Sequence, residues 1–389
     1  MASPIDQHQG SDAKGTPSAG GTLLSAEGAS GQALTHQGAG RAIRSRRFGE
    51  IPESGTVDAW TMTSRGGLVL EVITLGGIVR QLLAPGRDGT IDDVVLGFND
   101  LASYVEGHPY FGAITGRAAG RIANAAFTLD DTTYQLSRNE PPNHLHGGRR
   151  GFDKRIWNAA PVDRADGAPS LRLTYLSPDG GEGYPGDVDV AVAYTVTDRN
   201  EFLVETEATS DRTTPLCMTD HSCFNLAGEG AAPVADHRLE IFADETAPVD
   251  KQLILTGRLE ATASGNDFRR ARRVGDAIPM LFEQHGDMYR LPAHGAEERV
   301  TSAWLKDPAT RRVLTVSTTE RYLQFYTGSH LIETRPGKLG KAYGPFAGLC
   351  LECQGYADAA NEAMRAETLL YPGQTQRHAT AYTFSVDAT

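Results

Sequence analysis

Glu352 stands in Leu349-Cys350-Leu351-Glu352-Cys353-Gln354, an otherwise uncharged stretch whose alternation reads as a strand. In a strand, Leu349, Leu351 and Cys353 point one way while Cys350, Glu352 and Gln354 point the other. A carboxylate there is costly to bury unless it is paired, so it belongs either to a polar site or to a half-solvated sheet face. His221, in Thr219-Asp220-His221-Ser222-Cys223-Phe224-Asn225-Leu226, also lies in a strand-like apolar run. A histidine in that setting is more often a satisfied core residue than a catalyst. Its imidazole nevertheless titrates near neutral pH and is suited to general acid work.

Two further stretches carry polar groups that could hold a ligand. Gly116-Arg117-Ala118-Ala119-Gly120-Arg121 sets two arginines among small residues, where a ligand can approach a guanidinium, although arginines in glycine-rich turns are ordinary. In Asn143-His144-Leu145-His146-Gly147-Gly148 an extended backbone puts both imidazoles on one face. That pattern suits a cupin-type metal site, but the carboxylate ligand such a site needs shortly afterwards is missing between Gly147 and Phe152. The alternative is hydrogen bonding to a polar ligand. Cys350 and Cys353 have C-x-x-C spacing, yet on a strand they face opposite ways, which argues against zinc or redox chemistry between them.

The elements that position these groups are strands. Leu68 to Leu75, Leu171 to Leu176, Val188 to Thr197, Phe202 to Thr209, Val313 to Thr318, Tyr322 to Thr327 and Ala379 to Val386 read as short alternating or apolar runs between turn signals. Helical signals are confined to Asp100 to Val105 and Ala359 to Met364. The 43 glycines and 20 prolines fit a turn-rich, all-β chain, and the expected architecture is a large antiparallel β-sandwich. Residues 1 to 40 are rich in Gly, Ser, Ala, Gln and Thr and read as a flexible tail, with one folded domain over 41 to 389. With 37 basic against 49 acidic residues and a net charge of -12, attraction to nucleic acid or to anionic membranes is not expected. No apolar run reaches the roughly 18 residues of a membrane span, and no signal peptide is visible. Four cysteines make no disulfide framework, so the expected compartment is the cytoplasm.

Taken together, G-R-x-x-x-R-I at 116 to 122, N-x-L-H-G-G at 143 to 148, G-F-D-K at 151 to 154, T-x-H-S-x-F-N-L at 219 to 226, L-Q-F-Y-T-G at 323 to 328 and C-L-E-x-Q at 350 to 354 resemble the aldose 1-epimerase (galactose mutarotase) family, in the same order. The resemblance spans about Phe48 to Val386 and implies a galactose-mutarotase-like supersandwich with a sugar groove on one sheet. It implies that Glu352 is the catalytic base and His221 the catalytic acid, placed on opposite sides of the sugar. Arg121, His146, Asp287 and Gln324 match residues that hold sugar hydroxyls. The implied substrate is a free aldohexose such as glucose or galactose, handled without a metal or organic cofactor by a monomer or homodimer.

The chain departs from the family pattern at several points. Cys223 stands where an aromatic usually follows His-Ser, Asp220 replaces an Asn, Gly120 stands where many members have Asn, and Met288 where a His often follows the Asp. The segment Gly355-Tyr356-Ala357-Asp358 also lacks the usual proline. Two other functions stay open on sequence. Arg149, Arg150, Lys154 and Arg155 beside the Gly-Gly turn would suit a hexose-6-phosphate mutarotase. The departures would also suit a mutarotase-like protein that only binds carbohydrate or serves specialised biosynthesis on a non-sugar substrate.

Overall fold

Antiparallel strand pairing dominates the chain, as a computed structural model of residues 40–281 and 285–387 describes it. Three sheets carry the architecture. The first is a five-stranded meander over Ala42–Ile51, Gly55–Thr63, Val69–Ile73, Ile78–Pro85 and Ile91–Asp93. The second has nine strands in the order Asn158–Pro161, Ser170–Ser177, Val188–Val196, Glu201–Ser210, Thr375–Val386, Arg312–Thr318, Val300–Lys306, Arg238–Ile241 and Arg272–Arg273. The third has six, in the order Cys223–Phe224, Leu349–Gln354, Tyr322–Tyr326, Asp287–Arg290, Glu245–Ala247 and Glu260–Ala261.

The runs picked out by alternation are all strands, and their apolar faces meet in one continuous core. Val188, Val190, Val192, Tyr194 and Val196 from the nine-stranded sheet join Leu323, Phe325, Leu349, Leu351 and Cys353 from the six-stranded sheet there. That is the face-to-face sandwich expected of chains with one apolar face per sheet. Tyr382 ties the two layers together by donating its hydroxyl to Leu351 O at 3.3 Å.

Of the two helical expectations, one holds and one does not. Leu101–Val105 is a short helix whose N-cap, Asp100, accepts from Ser103 N at 2.9 Å. Ala359 to Met364 instead forms turns. There Asp358 accepts from Ala360 N at 3.1 Å and Asn361 accepts from Ala363 N at 3.2 Å. Such local bonds compete with helical pairing. The expected tail over 1 to 40 lies outside the described residues, apart from Gly40. Among the described residues no helix is long and apolar enough to cross a membrane.

Candidate active site

Leu349–Gln354 lies second in the six-stranded sheet, and its pleat sorts its residues as alternation requires. Leu349, Leu351 and Cys353 enter the core, while Glu352 and Gln354 line a groove of about 300 Å³ on the opposite face. Registry extends that face sideways: Glu352 pairs with Gln324, and Gln324 with Met288, so a row across three strands forms the groove floor. The volume suits a small polar ligand.

His221 reaches the same floor from the link between Thr219–Asp220 and Cys223–Phe224. Its backbone is fixed on both sides, by His221 N donating to Ala113 O at 2.9 Å and Gly112 N donating to His221 O at 3.0 Å. Its Nε2 lies 3.5 Å from Glu352 Oε1, and the two residues are only 6% and 3% exposed. The pair therefore stands side by side, not across the groove from each other as the sequence had implied. Among the described residues no donor hydrogen-bonds the Glu352 carboxylate, so burial dominates its titration and pushes it up to about 7 against the opposing pull of His221. For His221 burial favours the neutral ring, but the Glu352 charge and the Cys223 sulfur outweigh it and leave the imidazole raised to about 9. A carboxylate and an imidazole in contact, both titrating near neutrality, can exchange protons with whatever lies above them.

The arginines of the glycine-rich segment divide. Arg117 is buried as a structural hub, its guanidinium donating to Ser177 Oγ, Ser177 O, Pro178 O, Pro185 O, Gly186 O and Thr214 Oγ1. Arg121, on Arg121–Ile122, lines the groove and is gripped by Glu140, with Nε to Oε2 at 2.6 Å and Nη2 to Oε1 at 2.7 Å. The two histidines divide as well. His146 leaves the extended backbone at φ 48, so the imidazoles do not share a face. His144 Nδ1 lies 2.8 Å from Ser137 O and its Nε2 2.8 Å from Tyr184 Oη, both away from the groove. His146 lines the groove, and its Nδ1 accepts from Gly120 N at 3.1 Å. Burial holds it neutral, so the remaining proton sits on Nε2 as a donor.

Asp287 is the exception among the expected residues. It pairs with Phe325, one residue out of step with the Met288, Gln324 and Glu352 row, and its carboxylate accepts from Asn266 Nδ2 at 2.7 Å instead of lining the groove. Its neighbours Gly286 and Met288 line the groove in its place. Burial raises its carboxyl to about 6. Arg149, Arg150, Lys154 and Arg155 are not among the groove-lining residues, although Lys154 Nζ sits 5.1 Å from the ring centroid of the wall residue Tyr110.

Sequence reasoning missed Tyr110, Glu140, His285 and His330, which complete the walls together with Tyr326. Tyr110 packs against His146 with ring centroids 4.6 Å apart and against His221 at 5.8 Å. His285 and His330, also in the lining, stack with ring centroids 3.8 Å apart. Tyr326 was legible from its two-residue spacing from Gln324, which puts both on one strand face suited to a sugar. The others sit on turns, where periodicity is silent.

One group of soft ligand atoms adjoins the site. His221, Cys223 and Cys350 place theirs within 4.8 Å of one another. The two sulfurs are 2.7 Å apart, whereas two thiolates on one zinc, at Zn–S of about 2.3 Å, stand about 3.8 Å apart. The spacing therefore does not fit two thiolates on one zinc.

Comparison with known proteins gives a consistent result. The aldose 1-epimerase family pattern matches residues 58–383. The galactose mutarotase of Sus scrofa is 40% identical over 342 residues, covering 87% of this chain and 97% of that protein. The aldose 1-epimerase of Escherichia coli K12 is 33% identical over 333 residues, covering 83% and 94%. Among solved structures, the GalM/aldose epimerase homologue from C. elegans superposes with a TM-score of 0.76 at 27% identity, covering 83% of this chain and 97% of that one.

Proposed function

Starting from the premise that the chain belongs to the aldose 1-epimerase family, we propose that its groove interconverts the α and β anomers of a free aldohexose such as glucose or galactose, with Glu352 as base and His221 as acid. The chain is an isomerase of the mutarotase type. The observation that carries the assignment of roles is the buried contact between Glu352 and His221 at 3.5 Å on the floor of the groove.

The side-by-side arrangement suits the reaction, because the anomeric hydroxyl and the ring oxygen are both bonded to C1. Glu352 takes the proton of the anomeric hydroxyl while His221 delivers one from Nε2 to the ring oxygen. The bond between C1 and the ring oxygen breaks, leaving an open-chain aldehyde. Rotation about C1–C2 presents the other face of the carbonyl. On closure the roles exchange: neutral His221 takes the proton of the C5 hydroxyl and protonated Glu352 returns one to the carbonyl oxygen. Arg121, the Nε2–H of His146, and Gln324 supply donors for the remaining hydroxyls.

The pH dependence follows from the same pair. Glu352 must be ionised, so the rate rises as pH climbs through about 7. His221 must be protonated, so the rate falls as pH passes about 9. The two limbs belong to the coupled pair as macroscopic values. Polarimetry of freshly dissolved α-D-glucose or α-D-galactose is the test. Wild type should accelerate equilibration, and Glu352→Gln and His221→Ala should each lower the rate by about 10²- to 10⁴-fold. Wild-type rates retained in either variant would remove it from the mechanism. The same proposal extends to a cytoplasmic enzyme, monomer or homodimer, acting on a small-molecule sugar; the four cysteines, all free, support a reducing compartment.

A further inference from the structure

The motif Gly151-Phe152-Asp153-Lys154 stands out in the sequence, yet none of its residues lines the groove. Phe152–Lys154 forms a single 3-10 turn that leaves Asp153 only 2% exposed. Glycine at 151 permits the close fit, since a Cβ there would lie 2.8 Å from His146 O and 2.9 Å from Asp153 Oδ1. Among the described residues Asp153 Oδ1 has no hydrogen-bond partner, and Oδ2 accepts from Lys154 Nζ. The Lys154 side chain is 40% exposed, and its ammonium stands over the ring of Tyr110, 5.1 Å from the centroid.

A half-exposed lysine ordinarily wanders, because its ammonium is strongly hydrated and its stem is flexible. Here the carboxylate decides. A buried carboxylate with one oxygen unpartnered is tolerated only while a cation stays with it, so Asp153 fixes where the ammonium sits. That place is over an aromatic face, to which a cation is attracted. The Tyr110 hydroxyl has no hydrogen-bond partner among the described residues, so contacts to its ring orient the side chain. We propose that Asp153 and Lys154 are positioning residues of the groove: the carboxylate pins the ammonium over Tyr110, and Tyr110, so held, fixes the imidazole of His146 that packs on it. The proposal rests on the sugar-binding role of His146 given above.

The two histidines beside Tyr110 depend on it unequally. His221 is anchored through both backbone groups and faces Glu352, and its ring centroid is 5.8 Å from that of Tyr110. His146 lies nearer, at 4.6 Å, and among the described residues its ring makes one hydrogen bond, from Gly120 N. Loss of the ammonium therefore weakens sugar binding more than it slows proton transfer. Charge acts in the same direction. Burial first, then the charges of His221, Arg121 and Lys154, keep His146 neutral with its Nε2–H able to donate.

The test compares wild type with Lys154→Met, Lys154→Arg and Arg155→Met by polarimetry on glucose. Methionine keeps an apolar stem without the charge, and arginine keeps a cation that also rests on aromatic faces. In Lys154→Met, KM should rise about fivefold with kcat changed by less than about twofold, and Lys154→Arg should restore most of the loss. Arg155→Met should keep the wild-type KM, because that guanidinium lies over Tyr175 instead, 6.0 Å from its centroid. Tyr110→Leu should raise KM as well, and adding Lys154→Met to it should change nothing more, since the ammonium acts through the ring. Asp153→Asn combined with Lys154→Met leaves no unpaired buried carboxylate; it should match Lys154→Met and replaces it where the single variant does not fold. A second readout needs no turnover. The Cε1–H proton signal of His146 in sugar-free protein, identified by its loss in His146→Gln, should move in Lys154→Met and stay in place in Arg155→Met. A wild type without mutarotation would remove the proposed reaction, and this signal would still decide the positioning. An unchanged KM in folded Lys154→Met of an active enzyme, additive effects in the double variant, or an unmoved His146 signal overturns the proposal.

Discussion

At the scale of single residues, the grip of Glu140 on Arg121 bears on which sugars the groove accepts. Both oxygens of Glu140 are engaged by Nε and Nη2 of Arg121, at 2.6 and 2.7 Å, and the side chains are 38% and 16% exposed. A guanidinium held in this fork has already satisfied the geometry with which it would clasp a carboxylate or phosphate. Its remaining N–H groups still suit neutral hydroxyls. The arrangement thus favours a neutral aldose over a uronate or sugar phosphate, which also counts against a role for this groove in hexose-6-phosphate turnover. Replacing Glu140 by Gln should raise KM for glucose severalfold, because Arg121 loses its anchor. The kcat/KM ratio of glucuronate to glucose should rise about tenfold, a change of ~1.4 kcal/mol. An unchanged ratio would show that the ion pair plays no part in selection.

At the scale of elements, the strands and the Glu352 face were legible because a period of two is a strong signal and each sheet has one apolar face. The phase of Asp287 was not legible. Gly286 enters its strand at φ 89, and that turn sets the alternation one step away from Gln324 and Glu352, which motif order alone does not reveal. Tyr110, His146 and His285 were hidden or misjudged for a related reason. Each has positive φ, at 57, 48 and 53, so its side-chain direction is set by a turn and not by a repeat. The turn after His146 shows how much the groove depends on such elements. Gly147 has φ 83, and a Cβ there would lie 1.6 Å from Gly116 O. Gly147→Ala must therefore shift the backbone between His146 and the arginine segment. The expected cost is about 1 to 3 kcal/mol of stability, with a loss of rate exceeding that of a core variant of equal melting temperature. Wild-type melting and wild-type rate together would mean the turn tolerates a side chain.

At the scale of the whole molecule, the site is assembled from positions far apart in the chain. Arg121, His146, His221, Gln324 and Glu352 converge only once the sheets have closed. Closure requires the last strand, Thr375–Val386, to pair with both Glu201–Ser210 and Arg312–Thr318 in the middle of the nine-stranded sheet. The catalytic unit is thus nearly the entire described chain and tolerates little removal from its C-terminal side. The N-terminal side differs. The first described strand begins at Ala42, the family pattern at residue 58, and the most N-terminal groove residue is Pro109. We propose that the domain begins near residue 41 and that residues 1 to 40 contribute nothing to catalysis. A chain starting at Gly40 should melt within about 2 °C of the full chain, since a loss of even 1 kcal/mol in a domain of this size would move the midpoint by about that much. Its rate of glucose mutarotation should stay within about twofold of the full chain, because the groove and its two proton-transfer groups are intact. A tenfold loss of rate at an unchanged melting temperature would instead place the leading segment within reach of the groove.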